Sequence, residues 1–108
     1  FRVPVICGSI ADFTFLLKRK VTEYEFKEAF KKAAASPRFN GIILASEEPL
    51  VSTDIIKSSY SAIVDLGLIK VVDGDLVKVV AWYDNEWGYS SRLIEEAEMV
   101  GRRLKGLK

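Results

Sequence analysis

The sequence contains no histidine. That absence removes serine–histidine and cysteine–histidine nucleophilic pairs, imidazole acid–base chemistry and most sets of zinc ligands. With Cys7 as its one cysteine, the chain cannot close an internal disulfide. An excess of charge is lacking too: 16 basic against 15 acidic side chains leave a formal +1. So weak a field does not attract a nucleic-acid backbone or an anionic membrane. No apolar run reaches the roughly 20 residues that span a bilayer, and no cationic leader with a small-residue cleavage site can be placed at the start. The expected compartment is the reducing cytoplasm. No two of the seven glycines stand two apart, so the Gly-x-Gly-x-x-Gly grip on a dinucleotide is not in this sequence.

What is present is 108 residues, 49% of them apolar, enough for one modest core. The opening Phe1-Arg2-Val3-Pro4 has the look of a strand interior with no polar lead-in, and the expectation is a piece of a longer polypeptide. From Phe13 onward, Phe13, Phe15 and Leu17 fall on one face of a half-buried strand, with Asp12, Thr14 and Lys18 opposite, Leu16 the exception, and Gly8-Ser9 marking a bend or bulge between two shorter strands. Thr22 to Glu25 has the form of a capping box, flanked by Val21 and Phe26 at the staple positions. Phe26, Ala29, Phe30, Ala33 and Ala34 then repeat at helical spacing until Pro37 stops the helix, with Glu23/Lys27 and Glu28/Lys32 as pairs on the outer face.

Gly41 to Ala45 is a short apolar run, expected as a buried strand that completes a β-α-β passage. Between Val51 and Ser61 we expect a short helical turn capped by Ser52 or Thr53, and then an irregular loop. Strands follow at Ala62–Asp65, Leu68–Val72 and Leu76–Tyr83, the last two joined through Asp73-Gly74, a pair that tolerates positive φ. The strand from Leu76 to Tyr83 is apolar on both faces and so calls for cover on both. A final helix from about Glu86 to Leu104 carries the stripe Leu93, Ala97, Val100 and Leu104, acids nearer its start and bases at its end, with Gly106-Leu107 as its cap.

The most informative segment is Lys78 to Ser90, in which a strand ends in a polar, aromatic turn and opens a helix. Amides and side chains converge at such junctions, which makes them common ligand sites. The bland alternative is a capped corner with Trp82 and Trp87 in the core, Asn85 as helix cap and Tyr89 packed on the core.

The run Trp82-Tyr-Asp-Asn-Glu-Trp-Gly-Tyr-Ser90 resembles the C-terminal signature of phosphorylating glyceraldehyde-3-phosphate dehydrogenases. Phe1 to Pro4, Pro49 to Ser52 with Asp54-Ile55, and Asp73 to Lys78 resemble the same family in the same order, so the likeness covers essentially residues 1–108. It implies the C-terminal portion of the catalytic domain, with the nucleotide-binding domain absent. The implied fold is α+β, a mixed, largely antiparallel sheet with helices packed on one face and a helix at the C-terminus.

By the same resemblance Arg2 holds phosphate of the substrate or the incoming inorganic phosphate, a role its planar charged fork suits. The alternative for Arg2 is a solvent-facing strand end. The resemblance also implies that Asn85 hydrogen-bonds the nicotinamide carboxamide of NAD or NADP, with Tyr89 close to the ring. It places the catalytic cysteine and histidine upstream of this sequence, leaving the chain with no catalytic residue and no metal ligand of its own. Cys7 is not a substitute, since no histidine is present to activate it and Val5-Ile6 points to a buried strand position. The loop Ser58 to Asp65 departs from the family in lacking Asn-Pro-His, which leaves its contacts open.

The implied partners are the remainder of the enzyme chain, a homotetramer built on the other sheet face, the small-molecule substrate and phosphate, with neither nucleic acid nor membrane. Alone, the chain is expected to be inactive and to expose strand edges and apolar surface, and hence to self-associate. The competing class is a noncatalytic, self-associating interaction module. An RNA-binding β-α-β module is disfavoured by the near-zero charge and by the lack of an aromatic Lys/Arg-Gly-Phe strand.

Overall fold

The computed structural model describes Pro4 and residues 7–106. Arg2 and the rest of the opening strand segment lie outside the described residues, apart from Pro4, which sits in a bend. Among the described residues, five strands, β1 (Ser9–Leu16), β2 (Ile43–Ser46), β3 (Ala62–Asp65), β4 (Lys70–Val72) and β5 (Leu76–Tyr83), are accompanied by helices α1 (Glu23–Ala35) after β1, α2 (Ser52–Ile55) after β2 and α3 (Trp87–Leu104) after β5. They form one mixed sheet in the order β1-β5-β3-β2, with β4 paired to the remainder of β5. Three of the four pairings are antiparallel and β2–β3 alone is parallel. The α+β class and the largely antiparallel sheet therefore agree with the expectation.

The β-α-β passage is real but wider than adjacent strands would make it. From β1 the chain crosses through α1 over both β5 and β3 to reach β2 at the far edge. As an edge strand β2 has no buried residue, contrary to the buried strand its apolar run implied; nothing pairs with its outer side among the described residues.

Helix α1 forms where its sequence signals place it. Thr22 Oγ1 accepts from the Glu25 amide at 3.1 Å and the Glu25 carboxylate accepts from the Thr22 amide at 3.3 Å. These two bonds satisfy donors that a helix start leaves without partners. Ser36, before Pro37, is the C-cap. Glu23 and Lys27 pair as expected at 2.9 Å, but Glu28 pairs with Lys31 rather than Lys32, because Lys31 also reaches Glu47 beyond β2 at 2.6 Å. Phe26 and Phe30 meet edge to face, their centroids 5.3 Å apart, and pack on Val64, Leu66, Ile69 and Val79.

Register explains which strand residues form this core. Val79 and Ala81 of β5 share a face with Phe13 and Ala11 of β1, and Val64 of β3 lies opposite Ala81. Val77, Val79 and Ala81 are all buried. On the reverse face Val80 and Ile63 are buried while Leu16, Val72 and Leu76 are exposed, so this face is only partly covered. Phe13 and Phe15 stack on each other at 5.8 Å, each nearly half exposed at the end of β1.

Turn chemistry sets the remaining boundaries. The expected strand at Leu68–Val72 is shortened by a 3-10 turn at Leu66–Leu68, for which the Asp65 carboxylate accepts from the Gly67 amide at 3.2 Å. Asp73 and Gly74 both have positive φ, 54° and 80°, and close the β4–β5 hairpin. Helix α2 is not capped by Ser52 or Thr53. Its Asp54 carboxylate instead accepts from the Val51 amide at 2.8 Å.

Helix α3 ends as its sequence indicates, with Gly106 at φ 71° and its amide donating to the Arg103 carbonyl. Its stripe, however, finds no cover among the described residues. Every residue from Leu93 to Val100 is exposed, and Leu104 is 83% exposed. At roughly 100° per residue the stripe lies well over a quarter-turn around the helix from Gly88 and Arg92, which face the sheet. The radius of gyration, 16.2 Å, exceeds the about 13 Å of a compact domain of this length, as a projecting helix requires.

Candidate functional site

The junction between β5 and α3 is built around Asp84, which follows the last residue of the strand and is buried. Its Oδ1 accepts from the amides of Glu86 at 3.0 Å and Trp87 at 2.9 Å, and its Oδ2 accepts from the amide of Lys57 at 2.8 Å. The first pair answers the need of a helix start for acceptors, which a short acidic side chain meets well. The Lys57 bond ties the loop after α2 to the same corner. Lys57 has φ 65°, a left-handed conformation uncommon for a residue with a side chain.

These amide donors, Trp87 first and Lys57 next, hold the Asp84 carboxyl below the usual range against the opposing effect of burial. Burial, and then the charge of Asp84, push the Cys7 thiol up. Cys7 is therefore a poor thiolate, in line with its rejection as a nucleophile.

The helix cap is thus Asp84 and not Asn85. Asn85 is exposed, and among the described residues its side chain takes no part in the hydrogen bonds of the corner. Tyr89 stands about one turn further along and is 69% exposed, so it is not packed on the core. Trp87 is likewise 48% exposed. Trp82 is half-buried, and its indole Nε1 donates to the buried Asp65 carboxylate at 3.2 Å. Asn85 and Tyr89 accordingly lie at one corner, and Arg2 lies outside the described residues.

The groups that position this corner were not singled out from sequence. Gly88 packs so closely on the preceding loop that a Cβ there would stand 2.8 Å from the Tyr60 carbonyl oxygen. Arg92 donates to the Gly41 carbonyl and the Ser61 hydroxyl, each at 3.3 Å. The Asp84 cap had a legible signal, an aspartate three residues before the first helical residue, Trp87. The Lys57, Tyr60 and Ser61 contacts had none, since they join segments distant in the chain.

Among the described residues no group of three metal-ligating side chains comes together, and no helix is long and apolar enough to cross a membrane.

Residues 1–85 match the family model described as glyceraldehyde 3-phosphate dehydrogenase, C-terminal domain. Over 103 residues, 95% of this chain, the sequence is 48% identical to glyceraldehyde-3-phosphate dehydrogenase of Mycobacterium tuberculosis (strain ATCC 25618 / H37Rv) and 47% identical to that of Mycobacterium avium. It is 50% identical over the same span to glyceraldehyde-3-phosphate dehydrogenase 1 of Streptomyces avermitilis. The matched region is 30% of each of these relatives, so the chain spans about a third of their length.

Proposed function

The chain belongs to the family of glyceraldehyde 3-phosphate dehydrogenase C-terminal domains, and from that premise we propose that it is the substrate- and nicotinamide-positioning part of an NAD(P)-dependent, phosphorylating glyceraldehyde-3-phosphate dehydrogenase of cytoplasmic glycolysis. When bound, the nicotinamide cofactor would accept the hydride that the aldehyde carbon loses as it is oxidised. Asn85 supplies a donor and an acceptor to the nicotinamide carboxamide and so selects the ring face offered to the substrate. Tyr89 flanks the ring. Arg2 holds a phosphate of the substrate or the incoming inorganic phosphate.

One observation carries this reading: the backbone on either side of Asn85 is pinned through Asp84, while the Asn85 side-chain amide itself is exposed and takes no hydrogen bond among the described residues. Such an arrangement suits a group that must meet a ligand at a fixed position, because little ordering is left to be done on binding. The sequence holds neither histidine nor a glycine-rich dinucleotide grip, so the nucleophile, its base and the cofactor's phosphate site belong to other parts of the enzyme. The partly covered sheet face, with Leu16, Val72 and Leu76 exposed, is the surface for the tetramer partner.

The test is made in the complete dehydrogenase carrying this segment. Asn85→Ala raises KM for the nicotinamide cofactor and lowers kcat, and Arg2→Ala raises KM for phosphate or phosphorylated aldehyde. Unchanged constants in both variants overturn the assignment. The 108-residue chain alone gives no aldehyde-dependent NADH; measurable turnover contradicts the division of labour proposed here.

A noncatalytic, self-associating module is the second reading, and it is favoured by the exposed stripe of α3. A stable oligomer of defined size, with no effect of Asn85→Ala on the complete enzyme, supports it instead.

A further inference from the structure

We propose that Arg92 is a positioning residue for the nicotinamide contact: it clamps the first turns of α3 to the ends of β2 and β3 and so sets where Asn85 and Tyr89 stand. This rests on the assignment of Asn85 and Tyr89 to the cofactor in the preceding subsection.

The geometry of α3 carries the inference. A helix packed along its length is held by many weak contacts, and losing one scarcely moves it. Within the described residues of this chain, helix α3 is not held in that way, since from Leu93 to Val100 it is exposed. Its attachment falls at its first turns. Gly88 abuts the Tyr60 carbonyl. One turn further on the same helix face, the Arg92 guanidinium donates to the Gly41 carbonyl, in the turn that enters β2, and to the Ser61 hydroxyl, just before β3. Two anchors a turn apart fix both the direction of a helix and its rotation about its axis. Tyr89 lies beside Gly88 in sequence, and Asn85 lies within the turn that Asp84 closes.

The guanidinium is itself prepared for the role. Glu95, three residues along, accepts from it at 2.8 Å and holds it against the helix. Its Nε is buried without a partner among the described residues, so the side chain is committed to this position at the expense of one solvated donor. An arginine that served only surface charge would remain in water. A lysine keeps the charge but has one nitrogen, and cannot address Gly41, Ser61 and Glu95 through a planar fork.

The test uses the complete dehydrogenase with four variants: Arg92→Ala, Arg92→Lys, Ser61→Ala and Asn85→Ala. Arg92→Ala raises KM for the nicotinamide cofactor about fivefold to tenfold while KM for the aldehyde stays within about twofold. Arg92→Lys gives an intermediate rise, and Ser61→Ala, which removes one hydroxyl and leaves the arginine, gives a smaller rise in the same constant. The Arg92→Ala/Asn85→Ala double variant is scarcely worse than Asn85→Ala, because the arginine acts through the asparagine.

If Asn85→Ala impairs cofactor use and both Arg92→Lys and Ser61→Ala leave it unchanged, the positioning role is overturned and the cofactor assignment stands. Equal loss in every kinetic constant and in melting temperature across the Arg92 variants reduces the residue to a structural one. An Asn85→Ala enzyme with normal cofactor KM overturns the assignment on which the proposal rests.

Discussion

Lys57 and Asp84 are 27 residues apart in the chain, and the backbone amide of the first donates to the carboxylate of the second at 2.8 Å. The same carboxylate caps α3 through Glu86 and Trp87, so one buried side chain joins the loop after α2, the end of β5 and the start of α3.

Asp84 makes stability depend on acid. Its pKa is lowered in the folded chain, by the Trp87 amide first, so the folded state favours the carboxylate. The contribution is present above the unfolded carboxyl value of about 3.9 and is lost as pH falls through the lower folded value. Asp84→Asn turns an NH2 group toward an amide that needs an acceptor, and should lower stability by on the order of 3 kcal/mol at neutral pH. Denaturant melts of both proteins at neutral and acid pH should converge toward low pH; a constant gap would assign the loss to packing.

Gly88→Ala should displace α3. The added methyl would stand 2.8 Å from the Tyr60 carbonyl oxygen, and backbone on both sides cannot yield as a flexible side chain would. Although alanine is the better helix former, we expect a loss of about 1 to 3 kcal/mol with amide chemical-shift changes centred on residues 57–61 and 84–92. Unchanged or increased stability would show that the helix and loop separate freely.

Thr22→Ala should cost about 1 kcal/mol by removing the acceptor for the Glu25 amide. The loss should appear in chemical denaturation with little change in its slope, since no core group is altered. A change below measurement error would mean that water replaces the threonine at this exposed helix start.

The exposed stripe of α3 predicts solution behaviour. Leu93, Val100 and Leu104 are each about half exposed or more, and apolar surface at such spacing drives association. Sedimentation of the 108-residue chain should show mass rising with concentration, and Leu93→Glu with Val100→Glu should shift it toward monomer. A monomeric wild-type chain at high concentration would contradict this.

Local chemistry was legible in the sequence because its causes are local. Thr22 and Glu25 satisfy amides within their own turn, Asp73-Gly74 supplies the positive φ of its own hairpin, and Gly106 ends its own helix. The bounds of α1, β3, β5 and α3 followed from such signals, while the family likeness rested on the run Trp82 to Ser90 and its companion segments. The tertiary structure alone decided that β2 is an edge strand with no outer partner among the described residues, that Lys31 rather than Lys32 pairs with Glu28, and that Asp84 rather than Asn85 caps α3. It also decided that α3 turns Gly88 and Arg92 inward and its apolar stripe outward. Periodicity identifies an apolar face but not what it meets; that is set by which distant segment, here Tyr60 and Ser61, arrives close enough to make contact.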